Sequence, residues 1–380
     1  MFNHEKGPGG KWRTQGQDLM VFTADGLEAR AKVAAFDMDG TIITPKSGKV
    51  FPKDAGDWRL LFDEVAPKLK SLHEGGEYKI VFFSNQSGIS KGHITPEAFK
   101  GKIEAIARKL GVPIQVFLAQ SKSRFRKPCT GMWEYFLEHC NDGLEVDMKE
   151  SYFVGDAAGR HKTKSRPKKD HAMADRLFAR NVGLKFYTPE QYFLGEKEEE
   201  PWGPISFEAA EYTAKALPLL EPKDSSLASQ EKEVIVLVGF PGSGKSTLAR
   251  KLAEDHGYKV VNRDTLGTWQ KCVQEGKAAL MAGQSVVVDN TNPDVESRER
   301  YLALAKGASV PCRCISHNIR YRLLRNGGPD ISTMVLRMHN SKLKEPTLDE
   351  GFTSIIRANF VPEFDNEDDR RLWTMCLNES

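Results

Sequence analysis

No stretch of about 18 consecutive apolar residues occurs in this chain, so no membrane-spanning helix is expected. Residues 1–17 are polar and glycine-rich, without the apolar core that a secretory signal needs. Glu5 and Asp18 also argue against an organelle-targeting segment. Cysteine is sparse, with six thiols at positions 129, 140, 272, 312, 314 and 376. None has the spacing of a zinc ligand set, since Cys312 and Cys314 alternate on an expected strand. They read as reduced thiols in an intracellular protein. Net charge is slight, +3 over 380 residues, too little to argue by itself for a nucleic-acid partner. The chain has no internal repeat and no long low-complexity segment.

What is present is a chain too long for one ordinary core, with 39% hydrophobic and 28% charged residues. Short apolar runs at 32–36, 78–83, 114–118 and 151–154 read as strands, with helical patterns over 99–110 and 132–140. Strands alternating with helices, and polar residues at strand carboxyl ends, predict a parallel α/β sheet with a site at its switch point. The pattern resumes with a strand over 234–238, a glycine loop, a helix from about Lys245, and further strands at 285–288 and 310–315. The expected organisation is a flexible segment 1–18, a first α/β domain 19–195, a linker 196–232 and a second α/β domain 233–380. Charge is clustered rather than abundant. Lys122, Arg124, Arg126 and Lys127 form one basic group, and Arg160, Lys162, Lys164, Arg166, Lys168 and Lys169 form another. Solvated loops or a nuclear-import signal would carry the same residues.

The first half carries Asp37-Met38-Asp39-Gly40-Thr41 just past a strand. Asp37 can attack phosphorus and leave an aspartyl-phosphate. Asp39 can protonate the leaving oxygen and then take a proton from water. Such chemistry needs Mg²⁺ and fixed positive charge close by. Ser84 can donate to a phosphate oxygen, Lys127 can supply the charge, and Asp156 can hold Mg²⁺ with Asp37 and Asp39. A cap or calcium loop also uses Asp-x-Asp, but four such motifs in order favour the catalytic reading. Asp170 and Asp175 suit either orientation of the lysine or metal, or a capping role. In the second half, Gly239-x₄-Gly244-Lys245-Ser246 matches a phosphate-binding loop that cradles a nucleotide triphosphate such as ATP. Gly239, Gly242, Ser243, Gly244, Lys245, Ser246 and Thr247 are its candidate residues, with Ser246 the Mg²⁺ ligand. Asp264, just past a short strand, is the candidate general base, with Arg263 beside it. Asp289 ends a strand where it can organise metal-bound water or cap the strand. The basic stretch around Arg320, Arg322 and Arg325 reads as a phosphate-binding lid or as an exposed helix. Arg320 is the candidate lid residue and Arg337 the alternative.

The first motif set resembles the haloacid-dehalogenase phosphatases. Taken with Ala174-Asp175-Arg176-Leu177-Phe178, Asn262-Arg263-Asp264-Thr265-Leu266-Gly267 and Asp289-Asn290-Thr291-Asn292-Pro293, residues 19–360 resemble the polynucleotide kinase 3′-phosphatases. The resemblance implies a haloacid-dehalogenase-like Rossmannoid sheet followed by a P-loop kinase sheet. It implies Mg²⁺ and ATP as cofactors, and DNA strand-break termini bearing 3′-phosphate and 5′-hydroxyl as substrates. A nuclear monomer is expected, with mitochondria as a further location. Other repair proteins are possible partners, though not through a forkhead-associated domain, for which the chain has no room. The second half is shorter than the family pattern after Ile315, by about ten residues, which leaves a 3′-phosphatase with a non-catalytic kinase half as one alternative. A small-molecule phosphatase fused to a metabolite kinase is the other.

Overall fold

Val33, Ala34, Ala35 and Phe36 are all fully buried, with no polar face among them. A strand of that kind needs cover on both sides, as strands of parallel sheets in α/β layers have. The computed structural model, which describes residues 9–163, 168–197, 202–203, 208–317, 333–364 and 366–375, places them in β3 (Lys32–Phe36), inside a seven-stranded sheet. Its other strands are β1 (Gly10–Gln15), β2 (Leu19–Ala24), β6 (Tyr78–Asn85), β7 (Gln115–Ala119), β8 (Tyr152–Val154) and β9 (Lys185–Tyr187). A separate hairpin joins β4 (Ile43–Thr44) to β5 (Arg59–Leu60). The order is β1-β2-β7-β6-β3-β8-β9, parallel from β7 to β9 and antiparallel at β1 and β2. From β3 the chain builds out to β6 and β7, then crosses to β8 and β9, so β3 is the switch point and its carboxyl end opens a crevice.

The sheet separates two apolar layers. Phe36, Phe82, Ile80 and Tyr152 lie in one, and Phe83, Phe117, Trp133, Phe136 and Phe178 in the other. Phe83 stacks on Phe117 with centroids 5.0 Å apart. The helix Pro96–Leu110 covers the first layer. It starts at Thr95, whose hydroxyl accepts from Ala98 N at 3.2 Å, and ends at Gly111, with left-handed backbone. Its buried face carries Phe99, Ile103, Ile106, Ala107 and Leu110, together with one lysine, Lys102.

The second sheet contains β10 (Leu220–Glu221), β11 (Val234–Gly239), β12 (Lys259–Val261), β13 (Val286–Val288), β14 (Cys312–His317) and β15 (Ser354–Ala358). Its order is β10-β15-β14-β11-β13-β12, parallel except at β10. All six residues of β11 are buried. With β12 and β13 on one side and β14 and β15 on the other, β11 is the switch point of this sheet.

By contacts, residues up to Ala209 and from Arg370 form one compact unit, and Ala210–Asp369 forms the other. These bounds differ from the expected ones at three places. Within the supposedly flexible 1–18, residues 10–15 form β1, an edge strand whose polar, mostly exposed side chains hid it from a search for apolar runs. Within the expected linker 196–232, β10 pairs with β15. At the other end, Arg371 pairs with Glu134 and Trp373 is 6% exposed, so the last described helix, Glu367–Thr374, contributes to the first unit. No helix among the described residues is long and apolar enough to cross a membrane.

Candidate active sites

The end of β3 delivers Asp37, which is 7% exposed and whose N–H is bonded to Val154 O at 2.8 Å. Lys127, 1% exposed, donates from Nζ to Asp37 Oδ1 at 2.7 Å and to Asp175 Oδ1 at 2.6 Å. The backbone of Lys127 is pinned by Asn85, which accepts its N–H at 2.9 Å and donates to its carbonyl at 3.0 Å. Asp175 opens the helix Ala174–Val182, and its second oxygen accepts from Ala157 N at 3.0 Å. Asp156 follows β8. Gly40, at φ +86°, is required twice over: its backbone is left-handed, and a Cβ there would lie 2.4 Å from Asp156 Oδ2.

Burial raises Asp37 to about 7, against the pull of Lys127. Burial raises Asp156 as well, and the neighbouring Asp37 and Asp175 add to the shift. Burial alone would lower Lys127, but Asp175 and Asp37 outweigh it and hold the ammonium above its ordinary value. Carboxylate oxygens of Asp37, Asp156 and Asp175 lie within 4.8 Å of one another. Three carboxylates against the Lys127 ammonium leave two negative charges to be balanced when all are ionised. An all-oxygen, carboxylate-rich set of that charge fits a hard divalent cation such as Mg²⁺. Asp175 has both oxygens engaged, so Asp37 and Asp156 are the residues that would hold the ion.

The expected third ligand, Asp39, lies elsewhere. Its carboxylate is not in that cluster; Oδ2 accepts from Gln86 Nε2 at 2.5 Å and Oδ1 pairs with Lys102 Nζ at 3.3 Å. The two side chains draw it to the β6 side of the crevice. Ser84, buried in β6, accepts from the same Gln86 Nε2 at 2.8 Å. Since Ser84 Oγ is an acceptor there, its own hydrogen remains to be donated to a phosphate oxygen.

In the second unit, Gly239 ends β11 at φ +152°, where a Cβ would meet both Cβ and O of His317 at 2.9 Å. The loop after it turns into the helix Lys245–His256. Lys245 is 6% exposed, and its Nζ donates to Gly239 O at 3.0 Å and Phe240 O at 2.6 Å. Burial lowers it to about 8, with only Asp289 pulling it up. Gly242, Gly244, Lys245, Ser246, Thr247, Arg263, Asp264 and Asp289 line a cavity of about 1030 Å³, a size that suits a nucleoside triphosphate. Ser243 is buried behind the loop. Asp264 is placed by Asn262, which caps the helix Arg263–Leu266 and accepts from Asp264 N at 2.7 Å. The same Asn262 donates to Asp289 Oδ2 at 2.9 Å, so one side chain ties the backbone at Asp264 to the acid after β13.

A family pattern described as polynucleotide kinase 3 phosphatase matches residues 32–193, and one described as AAA domain matches residues 234–278. The chain is 39% identical to the bifunctional polynucleotide phosphatase/kinase of Schizosaccharomyces pombe, over 91% of this chain and 84% of that one. The chain belongs to the bifunctional polynucleotide phosphatase/kinase family. It is also 29% identical to the putative family member of Acanthamoeba polyphaga mimivirus, over 88% of this chain and 86% of that protein. To polynucleotide 3′-phosphatase ZDP of Arabidopsis thaliana it is 38% identical, over 48% of this chain and 27% of that protein.

The sequence-predicted phosphatase/kinase residues therefore gather at two sites, each within one unit, with two exceptions. Arg320, the expected lid residue, lies outside the described residues. Its alternative, Arg337, is exposed on the helix Thr333–Lys342, of which Val335, Met338, His339 and Lys342 line the cavity. One member of the second basic group is also structural. Arg160, 7% exposed, is bonded through Nε to Asp170 at 2.8 Å and through Nη1 to Glu190 at 2.8 Å. Asp170 accordingly anchors Arg160, and Asp175 orients Lys127. Sequence reasoning missed Gln86, Lys102 and His339. Only Lys102 left a signal, as a charge on the apolar stripe of a helix.

Proposed function

We propose that this chain processes DNA ends, removing a 3′-phosphate with its first unit and phosphorylating a 5′-hydroxyl with its second. The observation that carries the reading is Lys127, held between Asp37 and Asp175 at 2.7 and 2.6 Å, in the crevice that also holds Ser84 and Asp39. A carboxylate oxygen of Asp37 bonds to phosphorus while the bond to the 3′-oxygen breaks, and the departing oxygen takes a proton from Asp39. Asp39 then takes a proton from the water that hydrolyses the aspartyl-phosphate. Lys127 and Ser84 hold the phosphoryl oxygens throughout. Mg²⁺, bound by Asp37 and Asp156, would supply further neutralisation of phosphate charge.

In the second unit Asp264 accepts the proton of the 5′-hydroxyl, whose oxygen attacks the γ-phosphorus of ATP as ADP departs. Lys245 and the loop N–H groups hold the β- and γ-oxygens, and Ser246 is the residue that would hold Mg²⁺. The exposed Lys122, Arg124, Lys162, Lys168 and Lys169 guide the strand by its phosphates, so affinity falls as salt rises. The polynucleotide activities in the relatives' names support this substrate class, and the nucleus is the location that follows from it. The test is one labelled oligonucleotide with 3′-phosphate and 5′-hydroxyl, incubated with Mg²⁺ and ATP. Asp37→Asn is expected to lose only 3′-dephosphorylation, and Lys245→Ala or Asp264→Asn only 5′-phosphorylation. No change at either end in the unaltered protein would sink the proposal.

A further inference from the structure

Lys102 stands out because the helix Pro96–Leu110 buries it with apolar residues. It is 6% exposed, on the face that also carries Phe99, Ile103 and Ile106. Its Nζ lies over the Phe99 ring, 5.3 Å from the centroid, and reaches Asp39 Oδ1 at 3.3 Å. A buried ammonium on an otherwise apolar face carries a desolvation cost that one ion pair offsets poorly. A helix needing only packing there would do better with leucine or methionine.

Gln86 holds the other side of the same carboxylate. Its Nε2 donates to Asp39 Oδ2 at 2.5 Å and to Ser84 Oγ at 2.8 Å. One amide nitrogen thus ties the residue facing the leaving oxygen to the hydroxyl facing the phosphate. Asp39 sits on a loop with nearly half of its side chain exposed, 48%, and would otherwise rotate freely about its side-chain bonds. With one oxygen fixed from the helix and the other from Gln86 just past β6, the plane of the carboxylate is set.

We propose that Lys102 and Gln86 are positioning residues for the phosphatase reaction, clamping the Asp39 carboxylate from both oxygens so that it is aimed at the leaving 3′-oxygen. This rests on the reading of Asp39 as the proton donor to that oxygen. The clamp matters only where the leaving atom needs a proton. An alcohol oxygen does, whereas a thiol ionises far more readily and leaves as thiolate.

The experiment uses the intact chain and two oligonucleotides, one ending in a 3′-phosphate and one with the bridging 3′-oxygen replaced by sulfur. Lys102→Met keeps the apolar stem and removes the ammonium. It is expected to lower kcat on the oxygen substrate by about tenfold to a hundredfold, with KM nearly unchanged, and to leave turnover of the sulfur substrate close to that of the unaltered protein. Lys102→Arg restores much of the loss. If Lys102→Met melts out at the assay temperature, Gln86→Leu tests the clamp from the other oxygen with the same pair of substrates. Equal losses on both substrates, or no loss on either, overturn the clamp. Asp39→Asn runs alongside. If it discriminates between oxygen and sulfur while the clamp variants do not, the clamp alone fails. If it does not discriminate either, Asp39 is not the proton donor and the inference falls with that reading.

Discussion

Lys127 in the first unit and Lys245 in the second are both buried at a crevice, and the two lysines are treated in opposite ways. Lys127 lies between two carboxylates, which hold its ammonium above its ordinary value despite burial. Lys245 is bonded to backbone carbonyls, and burial brings it down to about 8. Burial alone drives a lysine towards neutrality; burial with two opposite charges locks it as a cation. In the phosphatase unit the protein itself completes the charge of its lysine and so fixes its position. In the kinase unit the bonded carbonyls, Gly239 O and Phe240 O, are neutral and leave that charge uncompleted.

The sharpest way to break this comparison is to remove each ammonium while keeping the stem. Lys127→Met leaves Asp37 and Asp175 facing each other without a cation. It is expected to cost about 3–5 kcal/mol of stability in the first unit and to lower 3′-phosphatase turnover by at least about a thousandfold. Lys245→Met should abolish 5′-phosphorylation yet leave the second unit as stable as before, or up to about 1 kcal/mol more stable. Calorimetry showing equal destabilisation by both would end the distinction.

The two units are also expected to respond oppositely to pH with chelator present. Asp37 has a folded value of about 7 against 3.8 unfolded, so between these the native state binds more protons and stability falls as pH rises. His317, pushed down by burial and by Lys245 to about 3 from 6.5, behaves the other way. There the unfolded state binds more protons, and stability falls as pH drops through that window. Each group contributes a slope of at most about 1.4 kcal/mol per pH unit. Hydrogen exchange between pH 4 and 6.5 should show protection moving in opposite directions in the two sheets. His317→Gln should flatten one slope and added Mg²⁺ the other.

A smaller effect is expected of Asp156→Asn. Removing one of the crowded carboxylates should stabilise the chelated first unit by about 1–2 kcal/mol while ending both phosphatase activity and stabilisation by Mg²⁺. The smallest is Arg371→Ala. Its pairing with Glu134 is half exposed, so a loss of about 0.5 kcal/mol is expected, felt in the first unit alone. Thermal melting monitored by tryptophan fluorescence, with phosphatase and kinase assays as separate reporters, checks both.

The central strands were legible because buried parallel strands are runs of apolar residues, and β3 and β11 each end in a motif. Most of the strands that escaped carry no such run, the apolar β2 (Leu19–Ala24) being the exception. β1 is an exposed polar edge, β10 is two residues long, and β15 has an arginine and a serine among its five residues. Asp37, Ser84 and Asp156 could be read from local motifs since each sits at or beside a strand end, and Lys127 from the Arg126-Lys127-Pro128 run between a strand and a helix. Asp39 was expected beside Asp37 and Asp156, but spacing shows only that two carboxylates leave one loop, not which neighbours capture them. Gln86 and Lys102 decide that, and Lys102 comes from a helix. His317 and His339 carry meaning only through the loop they pack against.

The placement of the helix Glu367–Thr374 has a consequence for synthesis. A ribosome delivers the β3 crevice early and Arg371 and Trp373 only after the whole kinase sheet has emerged. The phosphatase unit can collapse around its own sheet while the chain is still growing, but its final helix arrives only when the nucleotide-binding unit has been made. A nascent chain stalled in the second half would carry the β3 crevice but lack the Arg371–Glu134 pair.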